Sequence, residues 1–339
     1  MKDNTFYPLV SIISINFNHS DETIKMIKSL NLCTYKNIEI IIVDNCSKND
    51  NPYIIKELFP DIKLIVLKDN LGFAGGNNEG LKYANGEYIL LLNNDTEVDP
   101  NFLEPLVEVL MNNEDAGMAS PRLLYYYSPN KKTIQYAGAN KINLLTGRGS
   151  NIGILEIDNG QYNFVKKTDY AHGAALIFPK KLLSILGCMT DLYFLYYEEH
   201  DWCNGMKKLG LNAYYVGHSK VYHKESVSVG KNSPLKTYYM TRNRLIYLRR
   251  NANWYKLIIA LIFFTFVSTP SALLKMLKNK DLKLIKFYLI GILWNLKNFR
   301  NLKGYPQLTK NHNGNLEILG LTNQYISHKK FLNSYLSEQ

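Results

Sequence analysis

The chain has 339 residues, of which 46% are hydrophobic and 20% are charged, and its formal net charge is +11. This length predicts either two lobes or one large α/β domain with an appendage, and the apolar fraction is ample for a core. The four cysteines show no C-x-x-C spacing, and the sequence does not open with a secretory pattern. We therefore expect free thiols in a reducing cytoplasm, not a disulfide-stabilised secreted protein.

The positive charge is concentrated in one segment. Between Lys231 and Lys310 the chain carries 16 Lys and Arg against the single acid Asp281, so this segment has a charge of +15 and the rest of the chain −4. The basic residues flank long apolar runs and do not interleave with aromatics over a polar surface. This pattern predicts an anionic lipid surface as a partner and argues against nucleic acid.

Short apolar runs rich in β-branched residues alternate with helix-like stretches at the start of the chain, as in a parallel sheet. Helices are predicted after Asp21 and after Asp50, where a short acceptor side chain can cap a helix, and over Asn77–Ala84 after a glycine-rich turn. The predicted strands are Leu9–Phe17, Ile38–Asp44, Ile62–Leu67 and Tyr88–Asn94.

The middle of the chain is less regular. After Ala116–Pro121 a stretch rich in tyrosine and polar residues predicts loops and small strands to about Lys167. A strand within Ala171–Pro179 follows, then a helix that stops at Gly187, a helix that begins near Asp201, and the strand-like segments NAYYVG and KVYH. We divide the chain into residues 1–115, 116–250 and 251–339.

Two apolar runs lie in the last of these parts. Leu257–Leu274 contains 18 residues without a charge, and Phe287–Leu296 is a shorter run. A helix that spans a membrane needs about 20 mostly apolar residues. Because the first run contains Pro270 and several hydroxyl residues and the second is short, we predict helices that lie in the membrane interface with basic flanks. A true span and a helical pair buried on the catalytic lobe are the alternatives.

In an open parallel sheet, ligands collect beyond the carboxyl ends of the strands. The segments after the four predicted strands are polar or glycine-rich, as a nucleotide across a crevice requires, and the glycines could bring backbone amides to a diphosphate. These glycines follow the third strand and not the first, which argues against a nicotinamide enzyme. The predicted donor-binding residues are Asn16, Asn18, Asp44, Asn45, Ser47, Asn70, Gly72, Phe73, Gly75, Gly76, Asn77, Asn93, Asn94 and Asp95.

Asp95 follows the most apolar strand. Its carboxylate is a hard oxygen ligand suited to Mg²⁺ or Mn²⁺ that bridges phosphates. A strand-end acid is also a common helix cap, although Asp99 is better placed to cap the helix expected after Pro100.

Seven segments, taken together and in this order, resemble the family 2 glycosyltransferases of GT-A fold, particularly their rhamnosyltransferase-like branch. They are SIISINFN, IIVDNCSKND, NLGFAGGNNEG, YILLLNNDTEV, HGAALIFPKKLL, FLYYEEHDWCNGMKKLGL and VYHKES, and they extend from Leu9 to about Arg250. The resemblance implies an α/β fold of GT-A type, with a Rossmann-like, mostly parallel sheet between helices. A C-terminal helical, membrane-associated extension would follow it.

The resemblance also assigns roles to single residues. NND stands where the family's D-x-D motif binds metal and diphosphate, and because Asn93 holds its first position, Asp95 is left as the carboxylate ligand, with His223 completing the metal shell. Glu199 stands in the position of the catalytic base, and Asp201 is the alternative. The implied contacts to acceptor or sugar are His172, Gly173, Ala174, Glu198 and Trp202.

The three acids near the start of the next predicted helix also make chemical sense without the resemblance. An inverting transfer needs one base for the acceptor hydroxyl, and like-charged neighbours can raise a carboxylate pKa toward a useful range. The alternative is that Glu198, Glu199 and Asp201 only charge the first turn of that helix.

The sequence therefore predicts an inverting, metal-dependent glycosyltransferase that uses Mg²⁺ or Mn²⁺. It would move a sugar from a nucleotide-diphosphate donor, dTDP-rhamnose before UDP-hexoses, to a lipid-linked or growing cell-surface glycan. We expect a cytoplasmic protein that is peripheral on the inner face of the cell membrane, and a homodimer is an open arrangement. A catalytically inactive, membrane-attached binding subunit is one alternative. The other, a sugar nucleotidyltransferase, would need a basic glycine-rich loop where NFNHSDE stands.

Overall fold

The computed structural model describes residues 7–225, 233–298, 304–311 and 313–320. In the first part of the chain strands and helices alternate, and the four predicted strands are present with ends shifted by at most two residues. The elements are β1 (Val10–Asn16), α1 (Ser20–Asn31), β2 (Ile38–Asp44), α2 (Tyr53–Leu58), β3 (Lys63–Val66), α3 (Gly72–Leu81) and β4 (Tyr88–Leu92).

The middle of the chain contains more strand than the sequence predicted. Ala116–Pro121 is the first half of a long strand that continues to Tyr125. The elements are β5 (Thr96–Val98), α4 (Leu103–Asn112), β6 (Ala116–Tyr125), β7 (Ile134–Tyr136), β8 (Ala139–Asn143), β9 (Arg148–Asn151), β10 (Val165–Thr168), β11 (Ala175–Pro179), α5 (Leu182–Leu186), α6 (Glu198–Lys208) and β12 (Asn212–His223).

Helices dominate the described residues after β12, and a small two-stranded ribbon follows them. The elements are α7 (Pro234–Asn251), α8 (Trp254–Phe263), α9 (Thr269–Lys278), α10 (Leu282–Lys297), β13 (Gln307–Lys310) and β14 (Leu316–Leu319).

One ten-stranded sheet contains strands from both 1–115 and 116–250. Its order is β10-β12-β6-β11-β4-β1-β2-β3, with β5 paired to β12 and β7 paired to β6. β1 is parallel to both β2 and β4, so the carboxyl ends of these strands lie at one edge of the sheet. β12 is antiparallel to β5, with His223 opposite Thr96. This pairing brings the end of β12 to the segment that follows β4.

The first helices begin differently from the prediction. Asp50, expected to cap α2, instead accepts the backbone amide of Ser20 at 2.6 Å and so stabilises the start of α1. Helix α1 begins at Ser20, and Asp21 lies within its first turn. A cap can come from a residue that is distant in sequence, and local spacing does not reveal such a cap.

Helix α3 begins at Gly72, so the glycine-rich segment forms the first turns of the helix and not a turn before it. Its glycines face β1. A Cβ on Gly76 would lie 3.0 Å from Ile15 Cδ1, and one on Gly80 would lie 2.5 Å from Ile13 Cγ2. The absence of side chains therefore lets α3 pack closely against β1.

A π-helical turn, Phe264–Ser268, joins α8 and α9 into one 25-residue helix over Trp254–Lys278. Within the described residues it is the one helix long and apolar enough to cross a membrane. One face packs on the protein, with Phe264 against Leu245 and Tyr288. The alternative of a buried helical pair does not fit this helix, because its other face leaves apolar side chains exposed: Ile258, Ile259, Ile262, Phe266, Val267 and Leu274.

We predict that Gly80→Ala lowers the free energy of unfolding by about 1–2 kcal/mol. Alanine favours a helix over glycine by about 1 kcal/mol, but the added methyl group would press on Ile13, which is fully buried in β1. Chemical denaturation measures the change. Glu79→Ala, which removes only an ion pair with Lys82 on the same helix, is the control and should change stability by about 0.5 kcal/mol or less. Equal stability of G80A and wild type would contradict the packing argument.

Candidate active site

The carboxyl ends of β1 and β2 share one hydrogen-bond network. Asn16 Nδ2 donates to Asp44 Oδ1 at 2.8 Å, and Ser47 donates its hydroxyl to the same oxygen at 2.5 Å. Asn18 has a left-handed φ of 58°, and its side-chain oxygen accepts two backbone amides of the loop after β2. Asn16 and Asp44 are buried. These predicted donor-binding residues therefore lie together, and their mutual bonds shape the crevice.

The start of α3 is held by two asparagines and one strained glycine. Asn45 Nδ2 donates to the Gly72 carbonyl at 3.0 Å, and Asn70 Oδ1 accepts the Gly72 amide at 2.9 Å. Gly72 has a left-handed φ of 71°, and a Cβ there would collide with the Phe194 carbonyl. The same carbonyl accepts the Phe73 amide at 2.7 Å. This contact ties the donor-side helix to the loop before α6.

The remaining predicted donor residues occupy two positions. Gly75, Gly76 and Asn77 lie inside α3, which corrects the expectation of a diphosphate-binding turn before that helix. The side chain of Asn77 bonds to a carbonyl one turn earlier in α3. At the end of β4, Asn94 Nδ2 donates to a hydroxyl of α1 at 3.1 Å, and the Asn93 amide donates to the carbonyl before β11 at 2.9 Å.

Asp95 and His223 face each other where β5 pairs with β12. Asp95 Oδ1 lies 3.2 Å from His223 Nε2, and Nδ1 of the same ring lies 2.8 Å from Gln135 Oε1. Both side chains are buried. Burial raises the pKa of Asp95, but the charge and hydrogen bond of His223 outweigh this effect and hold the pKa below its ordinary value. Asp95 is therefore an ionised ligand candidate at neutral pH.

This pair fits one side of a divalent-cation site. The Asp95 carboxylate is a hard oxygen ligand, and the bond to Gln135 orients the His223 ring as a second ligand. Within the described residues, no group of three or more His, Cys, Asp or Glu could hold a metal. Substrate oxygens and water would have to complete the shell, an arrangement common for Mg²⁺ on phosphate substrates.

The two glutamates that begin α6 have opposite environments. Burial, and then the charge of Glu199, raise the pKa of Glu198 well above its ordinary value. Burial also raises the pKa of Glu199, but His200, whose Nδ1 lies 3.1 Å from Glu199 Oε1, and then His172 outweigh it and hold the pKa below its ordinary value. A neutral and an ionised carboxyl group therefore stand side by side. The expected upward shift applies to Glu198 and not to the predicted base.

His172 connects the two ends of the site. Its ring centroid lies 6.3 Å from that of His223, and a Cβ on the adjacent Gly173 would lie 3.4 Å from the Glu199 carboxyl group. Burial lowers the pKa of His172 to about 3, and its Nδ1 accepts the Ala174 amide at 3.1 Å. The structure thus gathers one series of predicted residues, which we call the Asp95–Glu199 row: Asp95, His223, His172, Gly173, Ala174 and Glu199.

Two predicted residues belong to the core instead. Asp201 is completely buried, and its Oδ2 lies 2.8 Å from Arg250 Nη2 while its Oδ1 accepts from Asn251 at 2.6 Å. Trp202 is also completely buried and donates its indole N–H to the Gly187 carbonyl at 3.0 Å. A carboxylate with both oxygens paired is a poor proton acceptor for a substrate. These contacts correct the expectations of Asp201 as alternative base and Trp202 as a substrate contact.

Residues 11–182 match the model of a family described as glycosyl transferase family 2, and this range is about half of the chain. The chain belongs to this family. It is 26% identical over 302 residues to the low-salt glycan biosynthesis hexosyltransferase Agl10 of Haloferax volcanii, covering 85% of this chain and 91% of that protein. It is 25% identical over 284 residues to the dTDP-rhamnosyl transferase RfbF of Shigella flexneri, covering 79% and 88%.

A solved structure supports the fold of this glycosyltransferase. The mannosyltransferase PcManGT from Pyrobaculum calidifontis, in complex with GDP-Man and Mn²⁺, aligns with a TM-score of 0.53 and 15% identity, covering 88% of this chain and 89% of that one. The expected family 2 membership and GT-A fold are therefore confirmed.

Sequence reasoning missed the residues that orient the site of this glycosyltransferase. His200 stacks on Tyr170 with ring centroids 4.1 Å apart, and its place beside Glu199 was a signal for it. Gln135 orients His223, and Asn243 donates to the carbonyls of residues 193, 195 and 196 at 3.0, 2.7 and 2.9 Å. Gln135 and Asn243 lie far in sequence from the groups they hold, and no local pattern marks them.

We predict that Arg250→Ala lowers the free energy of unfolding of the glycosyltransferase by about 3–5 kcal/mol, because it leaves the buried Asp201 carboxylate without its counter-ion. Asp201→Asn combined with Arg250→Ala should recover part of this loss, because an amide carries no charge. Chemical denaturation measures all variants. Lys208→Ala, at an exposed position of the same helix, is the control. If R250A and K208A unfold alike, the ion pair has no structural role.

Proposed function

We propose that this glycosyltransferase moves one sugar, with inversion at the anomeric carbon, from a nucleotide-diphosphate donor to a hydroxyl of a lipid-linked or growing cell-surface glycan. The observation that carries the proposal is the neutral Glu198 beside the ionised Glu199 at the start of α6. Two carboxyl groups with pKa values pushed apart are typical of acid–base sites. The row that joins Glu199 to Asp95 places this pair next to the donor side.

Inversion requires one displacement. The acceptor oxygen attacks the anomeric carbon while its proton passes to the Glu199 carboxylate, and the bond from that carbon to the donor phosphate oxygen breaks with its electron pair on the diphosphate. Glu198 Oε2 is buried and has no hydrogen-bond partner within the described residues. Neutral Glu198 can therefore donate a hydrogen bond to a sugar hydroxyl without a second negative charge beside the base.

Asp95 and His223 would hold Mg²⁺ or Mn²⁺. When bound, this ion would supply positive charge to the departing diphosphate. The aligned mannosyltransferase contains Mn²⁺, which supports a divalent ion in this fold. We propose dTDP-rhamnose as the first donor candidate because RfbF, a dTDP-rhamnosyl transferase, matches over most of its length. A hexose donor is next because Agl10 is a hexosyltransferase.

The apolar face of the helix Trp254–Lys278 supports a membrane-bound acceptor. The midpoint of this helix packs through Phe264 on Leu245 of α7, which belongs to the catalytic part of the protein and carries buried arginines. A spanning helix would place that midpoint, and α7 with it, at the centre of the bilayer, where charges are costly. We therefore propose that the helix lies in the interface on the cytoplasmic face of the membrane.

A donor panel tests the proposed reaction. Full-length protein is mixed with dTDP-rhamnose, UDP-glucose, UDP-galactose or GDP-mannose and a lipid-diphosphate-linked sugar, and release of the nucleoside diphosphate is measured. We expect release from one donor, a product of inverted anomeric configuration by NMR, and loss of activity in EDTA that Mn²⁺ or Mg²⁺ restores. Full activity in EDTA would remove the metal role of Asp95.

Paired glutamate variants test the base in the same assay. We predict that Glu199→Gln lowers kcat by about 10²–10⁴-fold, the usual contribution of a general base. Glu198→Gln should lower kcat by about tenfold or less, because an amide can replace a neutral carboxyl group as a hydrogen-bond donor. Thermal unfolding confirms that both variants fold. Equal losses in the two variants would contradict the assignment, and unchanged transfer in E199Q would leave an inactive binding subunit as the better description.

Vesicle flotation tests the membrane contact. We predict that the protein floats with vesicles containing phosphatidylglycerol, and that binding weakens at high salt because basic flanks contribute to it. Ile259→Glu with Phe266→Glu should abolish flotation, because both side chains lie on the exposed apolar face. Leu32→Glu, an equally exposed apolar residue at the end of α1, is the control. Resistance to alkaline carbonate extraction would show a true span.

A further inference from the structure

A basic cavity lies away from the Asp95–Glu199 row. Its volume is about 310 Å³. It opens on β6 and β12, where Arg122 lies beside Lys220 and Leu124 beside Tyr222. Because side chains alternate along a strand, Lys220 and Tyr222 point to the face opposite that of His223. We call this the Arg122 cavity, and its charged lining residues are Arg122, Lys131, Lys132, Lys220 and Asp158.

Arg122 is the buried cation of this cavity. Only 2% of the residue is exposed. Its Nη1 donates to Asp158 Oδ1 at 2.9 Å, while its Nε has no hydrogen-bond partner within the described residues. A buried donor without a partner destabilises a protein, and a guanidinium group offers five N–H donors in a planar fork suited to oxyanions. The open donor therefore points to a ligand with acceptor oxygens.

The lysines add charge that the protein does not neutralise. Lys131 lies over the Tyr126 ring at 3.7 Å and 3.9 Å from Glu97. For Lys132 and Lys220, no carboxylate lies within 4.0 Å in the part of the chain that the structure describes. The cavity thus contains four cations and the single carboxylate of Asp158. This excess favours an anion with more than one negative charge.

We propose that the Arg122 cavity binds a phosphorylated sugar. The phosphate would accept from Arg122, Lys132 and Lys220, and the sugar ring would lie on the apolar wall of Tyr222 and Leu124. The volume is at the lower end for small-ligand sites and suits a ligand of this size. This site is separate from the proposed donor and acceptor positions, and binding to it does not depend on the proposed transfer reaction.

Calorimetry on the full-length protein tests the site, with glucose 1-phosphate and inorganic phosphate as probes. EDTA is present so that no metal-dependent diphosphate site contributes. We expect both probes to bind wild type, the sugar phosphate more tightly, and Lys132→Ala with Lys220→Ala to weaken binding at least about tenfold, the effect of losing one charge-assisted contact. Lys141→Ala with Lys166→Ala, two exposed lysines outside the cavity, is the matched control and should bind as wild type does.

Two results would overturn the proposal: no binding of either probe at millimolar concentration, or equal binding by wild type and K132A/K220A. Steady-state transfer then distinguishes the source of the phosphate. A raised KM for a phosphate-bearing acceptor in K132A/K220A, with kcat and the donor KM unchanged, places the phosphate in the acceptor glycan. Unchanged kinetics together with lost calorimetric binding identifies a free sugar phosphate as the ligand.

Discussion

The catalytic end of the protein depends on the backbone conformation of residues 192–197. Phe194, Tyr196 and Tyr197 all have left-handed φ values, of 66°, 70° and 78°, which side chains beyond Cβ normally disfavour. The side chain of Asn243 holds three carbonyls of this loop, and Gly72 leaves space for a fourth. Strain of this kind persists only where surrounding contacts determine it, and here it sets where α6 begins and hence where both glutamates point.

Helix α7 carries most of those contacts, and it also carries the lipid-facing helix. Asn243 holds the loop before α6, Arg250 neutralises Asp201 inside α6, and Leu245 packs on Phe264 of the exposed apolar helix. Because one rigid helix makes all three contacts, the membrane surface and the base are fixed relative to one another. An acceptor sugar held at a constant height above a bilayer would therefore meet Glu199 without a large domain movement.

The sequence was sufficient for the strands and for the residues that follow them, because apolar runs and strand-end polar residues are local patterns. It therefore predicted that Asp95 lies near the crevice. It could not reveal that Asp50 caps α1, that Gln135 orients His223, or that α3 begins at Gly72. Each of these depends on a contact between residues distant in the chain, which no spacing rule contains.

The acids at the start of α6 show why local pattern alone could not assign the base. Glu198, Glu199 and Asp201 lie in one helical turn with nearly the same neighbours in sequence. Burial makes the first neutral, His200 and His172 keep the second ionised, and Arg250 from the end of α7 neutralises the third. Only the second combines a negative charge with a place beside the crevice. Chemical identity and spacing limited the choice to three residues, and non-local electrostatics selected one.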